Sequence, residues 1–291
     1  MAQSNTPALN GTTIKAVIVG PEGAGKSSLM RAMQQVANTE EGLSPEELGY
    51  QSGVMRDDQF RMVEMANVGS QANESCRVQV WDTPPQPPNS MFSSDYKRGA
   101  RLVFVTFDVN DRDSFEQTKE YLAYCTQRTT ESEPVAIVLL GNKNDTPSRK
   151  MVSTDEAQRL ADTYGIRFFE VSSLKEQQNH SLHKALRAGI EEVQNMQWLH
   201  QVGKDAKAAI PIIEIQKPSW TEWIRKVLAH AKPYLGDKTY QKLEGIADRL
   251  EKRYTAAREY KSNQKKEQQQ LSQDEPTNDA TASHTSRKTR P

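Results

Sequence analysis

The sequence predicts a three-layer α/β fold in which a mostly parallel, six-stranded sheet is covered by helices on both faces. The first observation is local. The apolar run at residues 14–19 leads into Gly-x-x-x-x-Gly-Lys-Ser at residues 20–27, and a helical pattern follows. This order of strand, loop and helix is the context that a phosphate-binding loop requires. The second observation is that strand-like runs alternate with helical patterns as far as residue 200. Such alternation implies parallel strands, with the ligand site at their carboxyl ends.

The individual elements follow from apolar spacing. Six runs have the length and composition of strands, at residues 14–19, 60–68, 76–81, 101–107, 135–140 and 167–171. A polar segment joins the second run to the third, so we expect an antiparallel hairpin there. Helical spacing predicts a first helix through Leu29 and Ala37 and later helices at residues 114–126, 153–164 and 175–200, with Asp113 as a candidate amino-terminal cap. Residues 38–59 lack periodicity and predict a long loop, and residues 84–99 predict irregular structure because they hold four prolines.

The loop after the first strand has the composition of a phosphate site. Gly20 and Gly25 allow backbone angles and a close approach that a Cβ would block. Backbone N–H groups and the amino terminus of the next helix favour phosphate oxygens. We expect Lys26 to reach the outer phosphates and Ser27 to reach a magnesium ion. The predicted nucleotide-binding residues of the loop are Glu22, Gly23, Ala24, Gly25, Lys26, Ser27 and Ser28.

Net charge, cysteine content and the lack of long apolar segments indicate which partners and which cellular compartment the chain suits. The 291 residues carry 38 basic and 38 acidic side chains, so the net charge of zero favours neither nucleic acid nor an anionic membrane. The two cysteines, Cys76 and Cys125, lie in or beside apparent core elements, which favours reduced thiols in the cytoplasm over a disulfide framework. The sequence shows no signal peptide, no run of membrane-spanning length and no lipidation site, since residue 2 is alanine and no cysteine lies near the carboxyl terminus. We therefore expect a soluble protein without a lipid anchor.

Further motifs occur in order along the chain. They are Trp81-Asp82-Thr83-Pro84-Pro85-Gln86, Tyr96-Lys97-Arg98-Gly99-Ala100, Phe107-Asp108-Val109-Asn110-Asp111, Asn142-Lys143-Asn144-Asp145 and Phe169-Glu170-Val171-Ser172-Ser173-Leu174. Together with the glycine-rich loop they resemble the Ras superfamily of small GTPases, and its Rab branch most closely, over about residues 14–198. The resemblance implies a Ras-like P-loop NTPase domain that binds GTP or GDP with magnesium. It also implies protein partners that regulate the domain or respond to it.

The resemblance also implies residue roles. Asp82 would hold magnesium together with Ser27, and Gln86 would position the attacking water. Guanine would be bound by Asn142, Lys143, Asp145, Ser172, Ser173 and Leu174, with Leu174 standing where the family has lysine. The chemistry of Asp145 supports the role, because a carboxylate accepts two hydrogen bonds from N1–H and the exocyclic amine of guanine. Adenine lacks that pair of donors and would leave the carboxylate unpaired.

Three departures from the family pattern leave two hypotheses open. Pro85 replaces a glycine whose N–H contacts the γ-phosphate in the family, and proline has no N–H. Glu22 places a carboxylate near the γ-phosphate, and no threonine lies in the expected place before Gly53. One hypothesis is a switch that hydrolyses GTP slowly. The other is a guanine-nucleotide-binding scaffold with little or no turnover, in which the nucleotide stabilises the fold.

The carboxyl-terminal third predicts an appendage. We divide the chain into a flexible leader (1–13), a Ras-like domain (14–200), a connector (201–218), a helical extension (219–262) and a disordered tail (263–291). One helical face of the extension carries Trp220, Trp223, Ile224, Val227 and Leu228. This stripe either packs on the globular domain or docks a partner, and the extension could also cover the switch surface. The polar tail is similar to export signals of bacterial effectors that act in a host cytosol.

Overall fold

The computed structural model describes residues 12–40, 60–65, 75–84, 87, 99–128, 135–174, 180–209, 224–226, 228–229 and 232–274. A single six-stranded sheet forms the centre, with its strands in the spatial order β2-β3-β1-β4-β5-β6. The strands are β1 (Thr13–Val19), β2 (Phe60–Met65), β3 (Cys76–Asp82), β4 (Ala100–Asp108), β5 (Ala136–Asn142) and β6 (Arg167–Glu170). Only the β2–β3 pair is antiparallel. The predicted sheet and hairpin are confirmed.

Five long helices accompany the sheet in the described part of the chain. They are α1 (Lys26–Glu40), α2 (Arg112–Arg128), α3 (Thr154–Thr163), α4 (Ser181–Ala209) and α5 (Asp237–Asp274). The cap predicted for α2 is wrong by two positions: Oδ1 of Asp111 accepts hydrogen bonds from the N–H groups of Asp113 and Ser114. Asp113 itself therefore lies in the first turn, where a negative charge still favours the helix.

Two helices extend further than the sequence pattern predicted. α4 continues to Ala209 rather than ending near residue 200, and α5 continues to Asp274 rather than ending near residue 262. Residues 201–209 are rich in alanine and lysine, and residues 263–274 are rich in glutamine and lysine; these residue types favour helix without needing an apolar face. The predicted connector and tail therefore both begin with helix. The remaining residues of these two segments lie outside the described part of the chain.

Two apolar layers flank the sheet, because successive side chains of a strand point to opposite faces. In β4, Leu102 and Phe104 point into the layer formed with α1 and α4. Val103 and Val105 point into the layer formed with α2 and α3. Since both faces are covered, the parallel strands leave their carboxyl ends as the accessible edge for a ligand.

The extension packs on this domain. Ile224 and Leu228 are buried in the layer of α1 and α4, whereas Ala256 and Ala257 of α5 are buried in the layer of α2 and α3. Arg253 of α5 also contacts the sheet directly, because its Nη1 donates to the carbonyl oxygen of Val135, the residue before β5, at 3.4 Å. At this point α5 passes the amino-terminal edge of the sheet, the edge remote from the glycine-rich loop. Packing on the domain is thus confirmed for the described residues. Of the predicted stripe, Trp220, Trp223 and Val227 lie outside them.

Candidate nucleotide-binding site

Two glycines hold the loop between β1 and α1 against the neighbouring strands. Gly20 has a φ of 150°, and a Cβ there would stand 2.1 Å from the carbonyl oxygen of Thr106 in β4. Gly25 has a φ of 85°, and its Cβ would stand 2.4 Å from Nδ2 of Asn142, the last residue of β5. Only glycine fits at either position. The loop therefore closes directly over the carboxyl ends of β4 and β5.

Lys26, the first residue of α1, folds its ammonium group back over this loop. Nζ donates to the carbonyl oxygens of Gly20 and Pro21, at 2.9 and 2.8 Å. Burial lowers the pKa of Lys26 from its ordinary value, while the charges of Asp82 and Glu22 act in the opposite direction. An ammonium group has three N–H donors. Two are bonded to the loop, so one remains to reach an anion.

The end of β3 places a carboxylate beside the start of α1. Oγ of Ser27 donates to Oδ2 of Asp82, and Oδ1 of Asp82 is buried without a hydrogen-bond partner among the described residues. Thr83 fixes this end of β3 next to β1, because its Oγ1 donates to the carbonyl oxygen of Ile18 at 2.8 Å. A buried carboxylate oxygen without a partner is costly unless a cation or donor compensates it.

These two side chains fit a magnesium ion. Magnesium prefers oxygen ligands and is usually held by one or two protein groups together with phosphate oxygens and water. The hydroxyl of Ser27 and the carboxylate of Asp82 provide such a pair. Within the described residues no group of three or more His, Cys, Asp or Glu side chains could hold a metal on its own. The site therefore suits a cation shared with a phosphate.

Asn142 links the phosphate loop to the segment after β6. Its Nδ2 donates to the carbonyl oxygen of Ala24 at 2.9 Å, and its Oδ1 accepts from the N–H of Ser173 at 3.3 Å. The side chain is fully buried. One buried amide therefore joins the phosphate loop to the segment after β6.

The carboxylate of Asp145 is held in a fixed orientation. Its Oδ1 accepts from Oγ of Ser172 at 2.8 Å, and this same hydroxyl accepts from the N–H of Leu174 at 3.2 Å. The N–H of Asn144 also donates to the carbonyl oxygen of Val171 at 3.2 Å, which joins the two loops directly. Each carboxylate oxygen can accept more than one hydrogen bond. Asp145 therefore keeps acceptor capacity for a ligand at the rim of the site.

Lys143 lies between the phosphate loop and Asp145. Its φ is 65°, and its Nζ forms an ion pair with Oδ2 of Asp108 at 2.7 Å. Asn110 holds the pair from the other side, because its Nδ2 donates both to Oδ1 of Asp108 and to the carbonyl oxygen of Lys143. The Lys143 stem is thus fixed next to the phosphate loop, with its Cε 3.8 Å from where a Cβ on Gly25 would stand.

Comparison with known proteins agrees with this geometry. Residues 15–195 match the model of the Ras family. The chain belongs to the Ras family. Its relatives include two Ras-related proteins of Arabidopsis thaliana, RABD2b at 35% identity and RABD2c at 34%. Each match covers 159 residues, which is 55% of this chain and 71% of the relative. The resemblance to the Rab branch is confirmed, and with it the assignment to the GTP-binding small GTPases.

The Ras-family domain contains all but one of the predicted site residues in its described part. Glu22 and Gly23 are exposed at the loop, Ala24 is buried beneath it, and Ser28 is half-buried in α1. Gln86, the predicted catalytic residue, lies outside the described residues, and so does Pro85. Leu174 is 81% exposed, which is unusual for a large apolar side chain and places it where a bound ligand could cover it.

Sequence reasoning did not assign roles to three polar groups of this Ras-family site. They are the carboxylate of Asp108, the amide of Asn110 and the hydroxyl of Thr83. Asp108 and Thr83 end or follow buried strands, and ligand-binding residues collect at the carboxyl ends of parallel strands. That positional rule could have identified them. The partners of Asn110 could not have been read from spacing, because the bond to Lys143 spans 33 positions.

No helix in the described part of this Ras-family protein is both long and apolar enough to cross a membrane. The comparisons give no support to the export signal expected of the tail. Residues 275–291 lie outside the described part of the chain.

Proposed function

We propose that this protein binds GTP and GDP with Mg²⁺, hydrolyses GTP slowly and acts as a molecular switch. The observation that carries the proposal is the meeting of Ser27 with Asp82, where one buried carboxylate oxygen has no partner among the described residues. This pair stands beside the lysine-capped loop. A metal site and a phosphate site that adjoin in this way suit a nucleotide with at least two phosphates.

The phosphates would be held by the loop and by Lys26. The glycines expose backbone N–H groups to the ligand, and the amino terminus of α1 adds partial positive charge. The third N–H of Lys26 would reach the outer phosphates. Ser27 and Asp82 would hold Mg²⁺, which would neutralise charge that develops on the phosphate oxygens.

Guanine would be recognised at the other end of the site. The Asp145 carboxylate, oriented by Ser172, would accept from N1–H and the exocyclic amine of the base. The N–H of Ser173 already reaches Oδ1 of Asn142 at 3.3 Å, a long bond that could be shared with guanine O6. The stem of Lys143 and the exposed side chain of Leu174 would cover the faces of the ring.

Slow hydrolysis is expected from two departures. Pro85 has no N–H with which to sense a third phosphate, and neighbouring prolines restrict the backbone around Gln86, the residue proposed to orient water. Glu22 lies at the loop and acts on the charge of Lys26, so its carboxylate would oppose a γ-phosphate. Unassisted hydrolysis in Ras is on the order of 10⁻⁴ per second, and we expect a rate no higher.

A second candidate is a guanine-nucleotide-binding scaffold without turnover, whose helical extension docks a partner. Glu22 favours it, because a carboxylate at the phosphate loop disfavours GTP over GDP. In the scaffold candidate the nucleotide stabilises the fold by mass action, as any ligand of the native state does.

Single-turnover hydrolysis of GTP tests the first proposal. Purified protein should release inorganic phosphate only with magnesium, and Lys26→Ala should abolish the signal, whereas Lys184→Ala in α4 should leave it unchanged. Failure of Lys26→Ala to reduce the magnesium-dependent signal would reject the proposal, because the signal would then come from a contaminant.

The double substitution Pro84→Ala with Pro85→Gly separates the two candidates. It restores a backbone N–H at residue 85, so hydrolysis should rise well above that of the unaltered protein if the prolines limit turnover. If the unaltered protein already hydrolyses GTP as fast as this variant, the scaffold candidate is wrong. The nucleotide content of the purified protein provides a second readout, since GTP taken up by a scaffold without turnover should remain GTP, whereas a slow GTPase should convert it to GDP.

The same proposal includes protein regulators or effectors as partners and a cytoplasmic location. Division of the chain into a Ras-like domain near residues 14–200 and a carboxyl-terminal extension also belongs to it. Packing of the extension on the amino-terminal edge of the sheet leaves the nucleotide edge accessible to such partners.

A further inference from the structure

A second pocket lies at the junction of α2 and α5, and we call it the α2–α5 pocket. Its volume is about 450 Å³, within the range of small-ligand sites. It is lined by Gln127, Tyr254, Ala257, Arg258, Lys261, Ser262 and Lys265. Gln127 lies in the last turn of α2, which runs from the carboxyl end of β4 to the amino-terminal edge of β5. The pocket is therefore remote from the nucleotide site.

All ionisable side chains of this pocket other than Tyr254 are cationic. Arg258, Lys261 and Lys265 follow one another at helical spacing of three and four residues, so they share one face of α5. All three are exposed, and none has an ion-pair partner among the described residues. By contrast, Arg225 near the same helix is paired with Asp248 and Glu251. The three unpaired charges create a local positive field.

Neutral groups of the pocket are also donors. Nε2 of Gln127 is buried and has no hydrogen-bond partner in the described part of the chain. An amide nitrogen is a donor only, and leaving it buried without an acceptor costs free energy. Ser262 adds a hydroxyl. An anionic ligand would satisfy the amide and neutralise the cations at once.

A neighbouring pocket on the same helix provides an internal comparison. It is lined by Arg225 and Lys252, but also by three carboxylates, Asp248, Glu251 and Glu259. Its cations are thus neutralised by its own residues. The lining of the α2–α5 pocket differs in that it contains no carboxylate, although the chain as a whole has no net charge.

The carboxyl end of α2 opposes an anion in this pocket, but only weakly. A helix carboxyl terminus carries roughly half a negative charge, against three full positive charges on the α5 face. The net field therefore still favours an anion.

We propose that the α2–α5 pocket binds a compact ligand that carries two or more phosphate groups, either as a free molecule or as the head group of a lipid. Seven residues separate Arg258 from Lys265, which is about 10 Å along a helix. A single phosphate ion cannot contact both ends of such a row, whereas two phosphates on one ring can. The guanidinium fork of Arg258 suits phosphate oxygens, and Tyr254 with Ala257 offers an apolar floor to the ring.

Calorimetric titration with inositol trisphosphate tests the proposal, on the full chain saturated with GDP and magnesium so that the nucleotide site is occupied. Binding should be saturable and should weaken as salt is raised. Lys261→Gln with Lys265→Gln should reduce affinity by about tenfold or more, because two charge-assisted contacts are lost. Lys252→Gln with Lys266→Gln removes the same charge from the other side of α5 and should change affinity by less than about twofold.

Vesicles of phosphatidylcholine with or without phosphatidylinositol bisphosphate distinguish the two sources of the ligand. Sedimentation with the bisphosphate vesicles, lost in the Lys261→Gln and Lys265→Gln variant, would assign a lipid head group. Binding of the soluble probe alone would assign a free ligand. The proposal is overturned if neither probe binds, or if the two double variants lose affinity equally. All four lysines are exposed, and circular dichroism should show that every variant is folded.

Discussion

Nδ2 of Asn142 donates a hydrogen bond to the carbonyl oxygen of Ala24 at 2.9 Å, across 118 positions of the chain. The acceptor belongs to the loop after β1, and the donor is the last residue of β5. On its other side Asn142 accepts from the N–H of Ser173. One buried amide therefore sets the distance between the proposed phosphate and base subsites.

Replacing Asn142 with alanine should destabilise the protein and uncouple the two loops. The carbonyl oxygen of Ala24 and the N–H of Ser173 would lose their partner inside the domain, so the free energy of unfolding should fall by about 1–3 kcal/mol. Urea denaturation measures this change. Asn144→Ala is the matched control, because the backbone N–H of Asn144, not its side chain, makes the bond to Val171. Equal loss in both variants would contradict the role of the amide.

Asp145→Asn should change which purine is bound. The carboxylate accepts two hydrogen bonds from guanine, whereas an asparagine amide would place a donor against a donor, so GDP affinity should fall by about a hundredfold or more. Xanthosine diphosphate, which has a carbonyl oxygen in place of the exocyclic amine, should bind the variant better than GDP. Competition binding measures the ratio, and Asp155→Asn in the first turn of α3 serves as control. An unchanged ratio in Asp145→Asn would remove Asp145 from the base site.

Two glycine substitutions should have opposite effects on stability. Gly165 has a φ of 58°, and a Cβ there would stand 2.4 Å from the carbonyl oxygen of Arg249 in α5. Gly165→Ala should therefore cost more than about 2 kcal/mol and loosen the packing of α5. Gly245, within α5, has nothing within 4 Å of its would-be Cβ, so Gly245→Ala should stabilise by about 0.5–1 kcal/mol. Thermal unfolding compares the pair, and destabilisation by both would contradict the helix packing described.

The buried charge of Arg253 should destabilise the protein most when its partner Glu192 is removed alone. Its guanidinium is 3.6 Å from the carboxylate of Glu192, and both side chains are almost fully buried. Burial lowers the pKa of Arg253, while Glu192 opposes that shift. Glu192→Leu should destabilise by about 3–5 kcal/mol, because Arg253 would remain buried without its partner.

The double substitution Glu192→Leu with Arg253→Met should recover much of that loss, since an apolar pair of similar volume fills the same space. Arg249, which also contacts Glu192 at 3.1 Å, is part-exposed and can turn to solvent. Lys252→Met, one position from Arg253 but exposed, is the control for removing a charge from α5. Additive losses in the double variant would show that the two residues act independently.

Most of the sheet could be predicted from the sequence, because β4 and β5 contain long apolar runs and β3 alternates apolar with polar residues. β5, for example, is buried at every position. The loop at residues 20–28 and the motif at Asn142 were identifiable because their residue types and spacing are typical of phosphate and guanine binding. Helix ends were less predictable. α5 continues to Asp274 on helix propensity alone. The polar composition of residues 263–274 is equally typical of a disordered segment, so the sequence pattern did not predict this helix end.

Contacts between distant residues could not be predicted from spacing. The ion pair of Lys143 with Asp108 joins the ends of two strands, and the burial of Arg253 depends on how α5 crosses the sheet edge. In both cases the partner is set by topology rather than by local pattern. The α2–α5 pocket was missed for the same reason, since Gln127 and Lys265 lie far apart in sequence.

The most direct test of the central claim is calorimetric titration of the nucleotide-free protein with GDP, GTP and ATP, with and without magnesium. We predict that both guanine nucleotides bind, that magnesium strengthens this binding, and that ATP binds at least about a hundredfold more weakly. Asp82→Asn should remove most of the magnesium effect while the protein stays folded. Absence of guanine-nucleotide binding, or binding of ATP with equal affinity, would contradict the account.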